Sequence, residues 1–155
     1  MALTTPLCSL LNVPHPVMLA GMGGVSYAEL CAAVSNAGGY GVLGMAGTSP
    51  EFIRDQMRRV RQLTDKPFGV DLLAATPEQL TDSVDIIIHE GASSFVAGLG
   101  VPMPIMERLK RAGLLVMVVC GAVKHAIKAE QAGCDAVICQ GGEGGGHTGL
   151  VGTMP

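Results

Sequence analysis

The residues best suited to chemistry lie in one glycine-rich segment near the end of the chain. It runs from Gln140 through Glu143 to His147, and all of the remaining positions in this segment are glycine. A loop without side chains lets backbone groups approach a phosphate or a flat ring, and a histidine at its end can exchange a proton near neutral pH. The segment lacks the Gly-Lys-Ser/Thr ending of a P-loop, which argues against a nucleoside triphosphate. His147 is therefore a candidate base; the alternative is a solvated loop histidine.

Two carboxylates are further candidates for this site. Asp71 lies near the end of an apolar run, where packing alone would favour a hydrophobic residue, so we expect it to contact a polar ligand. Glu143 could act as a second acid or base, although a glycine-flanked glutamate in such a loop more often contacts the backbone. We expect structural or solvated roles for the remaining histidines: His15 between two prolines, His89 at the end of a helix, and His125 on the outer side of a helix.

The composition restricts the classes of protein that can carry these residues. Of the 155 residues, 48% are hydrophobic and 15% are charged, which fits a folded chain with one sizeable core. A net charge of −3 without a basic stripe argues against nucleic acid or an anionic membrane as a partner. The sequence has neither an apolar run long enough to span a membrane nor a signal-peptide pattern at its start.

The number and spacing of the cysteines indicate the kind of cellular compartment in which the protein folds. There are five, an odd number, and none are in Cys-x-x-Cys spacing. This pattern predicts buried thiols in a reducing compartment, so we expect a cytoplasmic location and no metal site.

Short apolar runs recur along the chain and must position the candidate residues. They are continuous, as expected for parallel strands that are buried on both faces. The runs are Val17–Ala20, Gly41–Leu43, Phe68–Leu72, Ser94–Ala97, Leu115–Val119 and Ala136–Cys139. Segments with helical periodicity separate them, so the sequence predicts about six strands alternating with five helices in one domain, residues 1–155.

Helix boundaries agree with this alternation. Ser49-Pro50 and Thr76-Pro77 each predict a hydroxyl N-cap before a proline in the first turn, and Gln79 would complete a capping box with Thr76. Four glycines predict left-handed helix ends before the next strand: Gly38, Gly91, Gly113 and Gly133.

Regular alternation of strand and helix leaves two architectures, the doubly wound open sheet and the (β/α)8 barrel. The dinucleotide-binding open sheet requires G-x-G-x-x-G after its first strand, but the segment from Gly21 ends in Ser26. It also requires an acid at the end of the second strand, where this chain has Leu43-Gly44. An α/β fold of the (β/α)8 TIM-barrel type fits better, although six strands are too few to close it.

In either architecture the ligand lies beyond the carboxyl ends of the strands. Glycine follows almost every predicted strand there, which could expose backbone to a flat ligand; the alternative is that strand-to-helix turns simply favour glycine. Met22 lies on the same rim, between Gly21 and Gly23.

Four segments of the chain resemble the nitronate monooxygenase family, formerly called 2-nitropropane dioxygenases. They are Pro16–Met22, Ser35–Gly44, Lys66–Leu72 and Asp135–His147, in the family's order and spacing. The family also includes flavin-dependent enoyl-ACP reductases of the second type and some NADH:quinone reductases. The last segment is the most specific.

The resemblance implies an FMN-dependent barrel that oxidises alkyl nitronates with molecular oxygen to a carbonyl compound and nitrite. It implies a catalytic base at His147. It also implies that the following residues bind FMN: Gly21, Met22, Gly23, Asp71, Gln140 and Gly145. Two departures from the family pattern are Asp71, where many members have asparagine, and the run Gly144–Gly146, which an alanine commonly interrupts.

Two other functions remain open at this stage. One is an enoyl-ACP or NADH:quinone reductase on the same flavin scaffold, and the other is a non-catalytic barrel fragment. The chain ends at Pro155, about six strands into an eight-stranded barrel, so we expect an N-terminal portion that lacks strands seven and eight. Such a portion would bind flavin weakly and self-associate through its open strand edges.

Overall fold

One parallel sheet organises the computed structural model, which describes residues 3–154. Its strands are β1 (Gly41–Gly44), β2 (Phe68–Leu73), β3 (Ser94–Gly98), β4 (Leu115–Cys120) and β5 (Ala136–Cys139). The strands lie in the sheet in their sequence order, and every neighbouring pair is parallel. A doubly wound sheet reverses its strand order at a switch point, whereas an uninterrupted order is that of a (β/α)8 barrel.

Helices connect the strands, as the periodicity predicted. They are α1 (Pro6–Leu11), α2 (Ala28–Asn36), α3 (Pro50–Leu63), α4 (Pro77–His89), α5 (Met106–Arg111) and α6 (Val123–Gln131). A short 3-10 turn, Met103–Ile105, leads into α5. The helix α1, which precedes the sheet, was not predicted.

The predicted first strand at Val17–Ala20 is wrong, because this segment forms only an isolated bridge between Met18 and Tyr40. The pairing ends early because the chain turns away at Gly21. The Ser26 hydroxyl donates to the carbonyl of Ala20 at 2.7 Å and holds that turn closed. The described sheet therefore has five strands and one bridged segment.

The helix boundaries were predicted with one error. Ser49 caps α3 by accepting a hydrogen bond from the Phe52 amide at 3.2 Å. Thr76 caps nothing with its side chain, because its hydroxyl donates to the carbonyl of Leu73 at 2.9 Å. The predicted glycine ends are confirmed by positive φ angles at Gly38, Gly91, Gly113 and Gly133.

The strands alternate between two apolar clusters, so the sheet has a helix-facing side and an inner side. In β2, Phe68, Val70 and Leu72 belong to the cluster that includes the helices α2–α6. Asp71, which lies between two of them, therefore points to the inner side. The inner cluster includes Val42 and Val96, together with Leu11 and Val13 from the start of the chain.

A buried polar pair crosses the inner side near the beginnings of the strands. The Tyr40 hydroxyl donates to Ser94 Oγ at 2.7 Å, and burial raises the pKa of Tyr40 to about 12. Gly69 lies beside this pair, because a β-carbon there would collide with Ser94 Oγ and approach Tyr40 Cε1 to 3.2 Å. Buried side chains thus fill the inner side of the sheet near the beginnings of the strands. At the carboxyl ends of the strands the inner side opens into a cleft.

Of the five cysteines, Cys8, Cys31 and Cys120 are buried as predicted, whereas Cys139 is exposed. Cys139 is exposed because its side of β5 lies at an edge of the sheet that no helix covers fully. Within residues 3–154 no helix is long and apolar enough to cross a membrane. The same residues contain no group of three or more His, Cys, Asp or Glu side chains that could hold a metal ion.

Candidate functional site

A cleft of about 1180 Å³ opens where the strands end on the inner side of the sheet. This volume slightly exceeds the range of about 300–1,000 Å³ that is typical of small-molecule sites. The residues that the family resemblance assigned to a site all line this cleft, whereas the further candidate Glu143 does not. They are Gly21, Met22, Gly23, Asp71, Gln140, Gly145 and His147. The parallel strands bring these residues together from positions more than a hundred residues apart.

The first wall of the cleft is the loop that follows the bridged segment. Ser26 is fully buried and holds this loop from inside: its hydroxyl accepts from the Met22 amide at 3.2 Å and donates to the Ala20 carbonyl. Gly44 packs directly on this loop, because a β-carbon at residue 44 would lie 2.6 Å from the Met22 carbonyl oxygen. The backbone of residues 21–23 is thereby fixed facing the cleft.

Asp71 is the carboxyl group of this wall. It lies on the inner face of β2, mostly buried, next to Gly21 and near Gly98. Burial raises the pKa of Asp71 from 3.8 to about 7, and no hydrogen bond or neighbouring charge contributes to that shift. Since unpaired buried carboxyl groups are costly, this one is available for a ligand in the cleft.

The opposite wall is the loop from Gln140 to Thr153, which is locked by its own polar groups. The Gln140 side-chain amide donates to the Gly145 carbonyl at 2.8 Å, and the Gly142 amide donates to the Val151 carbonyl at 2.7 Å. Glu143 accepts from the Thr153 amide at 2.9 Å. A hydrogen bond from its own backbone is the largest cause that lowers the pKa of Glu143, and the hydrogen bonds with Thr153 lower this pKa further. Glu143 therefore has the backbone-binding role that was weighed against acid-base catalysis.

The glycines of this loop differ in whether the fold would allow a side chain at their positions. Gly141 is packed against Thr153 and Glu143, and Gly146 has φ of +74°, so both positions exclude a side chain. A β-carbon at Gly145 or at Gly23 would meet nothing within 4 Å, and neither residue has a positive φ. Internal packing therefore does not require glycine at these two positions, and both open onto the cleft.

Two histidines line the cleft. His147 does so as predicted, with an exposed side chain at the end of the glycine loop. His125, which was expected on the outer side of its helix, is exposed, and it also borders the cleft from the first turn of α6. Helical periodicity did not indicate that His125 borders the cleft. The helix α6 begins at the rim of the cleft, so its first turn borders the cleft regardless of which face of the helix is hydrophobic.

Gln79 is a second residue whose place in the site sequence analysis missed. Its amide nitrogen donates to the carbonyls of Met45 at 3.1 Å and Thr48 at 2.8 Å, and its oxygen accepts from the Gly47 amide at 3.3 Å. These three bonds hold the loop after β1, which lines the cleft at Ala46. The Met45 amide also donates to the Asp71 carbonyl at 3.0 Å, so the loop is tied to β2.

The arrangement suits a flat ligand with polar edges. Glycine backbone on two facing walls allows close approach of a ring, Asp71 and Gln140 offer polar side chains, and the apolar residues Val96 and Val118 lie among the lining. His147 and His125 supply imidazole groups that can accept or donate a proton. The residues present thus fit a planar redox cofactor together with a small substrate.

Comparison with known proteins shows the family of this chain. The profile of the nitronate monooxygenase family matches residues 4–89 and 78–155, so the chain belongs to that family, whose members are oxidoreductases. Among its relatives, a protein of Mycobacterium tuberculosis is 43% identical over 99% of this chain and 43% of its own length. It is named (3aS,4S,5R,7aS)-5-hydroxy-7a-methyl-1-oxo-octahydro-1H-indene-4-carboxyl-CoA dehydrogenase.

Two solved structures of related proteins share the fold of this chain. FabK from Thermotoga maritima matches with a TM-score of 0.91 and 37% identity over 97% of this chain and 48% of FabK. A nitroalkane oxidase from Streptomyces ansochromogenes matches with a TM-score of 0.82 and 30% identity over 94% of this chain and 51% of its own. The predicted α/β fold of the TIM-barrel type is confirmed. The chain spans about half the length of the relatives it matches.

Proposed function

We propose that this chain forms the flavin-ring side of the site of an FMN-dependent oxidoreductase that oxidises carbon acids, with alkyl nitronates as the first substrate class to test. The observation that carries this proposal is the cleft itself, in which a mostly buried, unpaired Asp71 faces the same space as His147. When bound, the flavin supplies two-electron transfer and reactivity with molecular oxygen.

The residues of the chain would divide the remaining work. The open backbone at Gly23 and Gly145 allows a ring to lie between the two walls, with Met22 beside it. Asp71 and Gln140 would bind its polar edge; the Gln140 amide nitrogen is already bonded to Gly145, which leaves its oxygen as an acceptor. With a neutral nitroalkane, His147 would remove the acidic proton next to the nitro group and so form the nitronate that is oxidised, a step typically worth about 10²–10⁴-fold in rate.

A second substrate class, acyl thioesters, has a specific argument in its favour. The relative that is 43% identical is named as the dehydrogenase of a CoA thioester, and FabK is an enoyl-ACP reductase. A thioester acidifies the neighbouring C–H bond as a nitro group does, so the same base and the same ring would serve. The NADH:quinone reductases of the family would use this scaffold with a nicotinamide instead.

A substrate panel on one preparation tests the proposal. The protein is loaded with FMN, and the absorbance of the bound flavin is recorded before and after anaerobic addition of ethylnitronate, of a saturated acyl-CoA, or of NADH. Bleaching by ethylnitronate, with nitrite formed after air is admitted, supports nitronate oxidation; bleaching by acyl-CoA alone favours the thioester class, and bleaching by NADH alone favours a reductase. A protein that takes up no flavin contradicts the proposal and favours a non-catalytic fragment.

A further inference from the structure

Asp71 is the one carboxyl group among the described residues that line the cleft. Its side chain lies against Gly21 so closely that a β-carbon at residue 21 would be 2.6 Å from Asp71 Cγ. On the other side, a β-carbon at Gly98 would be 3.9 Å from Asp71 Oδ1. The Asp71 side chain therefore packs closely against the Gly21 backbone, is not crowded on the Gly98 side, and borders the cleft.

No cation faces this carboxyl group from the elements around it. Residues 19–25, β1 and β3 carry no charged or titratable side chain, and the other residues of β2 are glycine or apolar. The other titratable groups that share the cleft are His125, His147 and Cys139. An ionised Asp71 would therefore have neither a salt bridge nor a hydrogen-bond donor from the described chain.

We propose, on the basis of the flavin site argued above, that Asp71 carries its proton in the flavin complex and that flavin binding is therefore coupled to proton uptake at alkaline pH. A ring that covers the cleft removes the remaining water from Asp71, and desolvation favours the neutral acid. A protonated carboxyl group can also donate a hydrogen bond to a ring acceptor, which a carboxylate cannot do.

The proton in this scheme comes from solvent, and no electrons move. In the free chain the carboxyl group titrates where burial has moved its pKa, at about 7. Above that pH the free site is ionised and must take up one proton for each flavin that binds. The apparent dissociation constant should then rise by about tenfold for each pH unit, since one pH unit is a tenfold change in the protonated fraction.

Riboflavin is the appropriate probe, because it lacks the phosphate group whose own ionisation near pH 6 would complicate the profile. Its fluorescence is titrated with the wild-type chain and with Asp71→Asn between pH 6 and pH 9. We expect the wild-type dissociation constant to rise by at least tenfold above pH 7 and that of Asp71→Asn to stay constant within about threefold.

Three controls make the test specific. In the variants His125→Asn and His147→Asn the dissociation constant should still rise with pH above pH 7, whatever its absolute value, which excludes the two imidazoles as the source of the pH dependence. Asp82→Asn, an exposed carboxyl on α4 outside the cleft, should also keep it. The ¹³C resonance of the Asp71 carboxyl in the wild-type chain gives a second measurement that does not depend on a variant folding.

The outcomes separate this inference from the function on which it rests. Riboflavin binding with a flat pH profile, or the same profile in Asp71→Asn, overturns the proton coupling and leaves the flavin site standing. A carboxyl resonance that titrates near pH 4 in the free chain also overturns it. Failure of riboflavin to bind at any pH contradicts the flavin site and, with it, this inference.

Discussion

The carboxyl group of Asp71 occupies the space that any side chain at residue 21 would need, since a β-carbon there would lie 2.6 Å from Asp71 Cγ. Gly21 and Asp71 belong to the same wall of the cleft but come from different elements, the loop before α2 and the strand β2. The pair therefore sets the distance between the loop and the sheet at the point where a ligand would enter. A substitution at either residue should therefore displace the other.

Replacing Gly21 with alanine should disturb this contact. We expect Gly21→Ala to lower the free energy of unfolding by about 1–3 kcal/mol, because overpacking forces either the loop or Asp71 to move. Flavin affinity should fall as well. The measurement is urea denaturation together with riboflavin titration, with Gly152→Ala as the control, since a β-carbon at residue 152 would make only ordinary contacts at 3.4 Å. Equal stability of Gly21→Ala and wild type would contradict the packing described here.

Replacing Asp71 with asparagine should change how stability depends on pH. The folded pKa of Asp71, about 7, lies above its ordinary value of 3.8, so the unfolded chain loses this proton first as the pH rises. The free energy of unfolding should therefore fall by about 1.4 kcal/mol per pH unit between these two values and remain level above them.

Asp71→Asn removes that loss. The variant and the wild type should have similar stability at pH 4, whereas the variant should be more stable at pH 8, as measured by urea denaturation at both values. A wild type that is the more stable of the two at pH 8 would mean that an unseen donor stabilises the carboxylate.

Gly145 should tolerate a side chain for folding but not for binding. Because its β-carbon would meet nothing within 4 Å, Gly145→Ala should keep wild-type stability or gain about 0.4–1 kcal/mol. Its methyl group would project into the cleft and should weaken riboflavin binding by about tenfold or more. Gly152→Ala again serves as the control, and unchanged binding in Gly145→Ala would place the ring elsewhere.

Gln79 should act on the cleft from outside it. Gln79→Ala removes all three hydrogen bonds to the loop 45–48 and should cost about 1–3 kcal/mol of stability. Amide hydrogen exchange at Gly47 and Met45 should accelerate more than exchange in β3. The matched control is Asp82→Ala, an exposed residue on the same helix, and an equal effect of the two variants would refute a specific role for Gln79.

Much of the fold could be predicted from the sequence, because the signals were local. The continuous apolar runs that became β2–β4 are buried on the helix-facing side, and the glycines at positions 38, 91, 113 and 133 end their helices with positive φ. The run Val17–Ala20 failed as a strand because strand length depends on the partner: only Tyr40 is available to bridge with Met18 before the chain turns.

The candidate site could be predicted only in outline. Residues near the carboxyl ends of strands, such as Asp71 within β2 and Gln140 after β5, meet in the cleft because all parallel strands end at the same edge. Gln79 and His125 were missed because their roles depend on where a helix begins relative to the rim, which no local pattern encodes. A glutamine three residues after a threonine is compatible with a capping box and with a loop clamp, and only the three-dimensional structure distinguishes these roles.

The central claim is that His147 removes a proton from a carbon acid beside a bound flavin. The most direct measurement is the rate of anaerobic flavin reduction by neutral nitroethane and by ethylnitronate, which has already lost that proton. We expect His147→Ala to slow the reaction of nitroethane by about 10²–10⁴-fold and that of ethylnitronate much less, while His125→Ala slows neither substantially. Equal loss with both substrates in His147→Ala, or a selective loss with nitroethane in His125→Ala, would contradict the account.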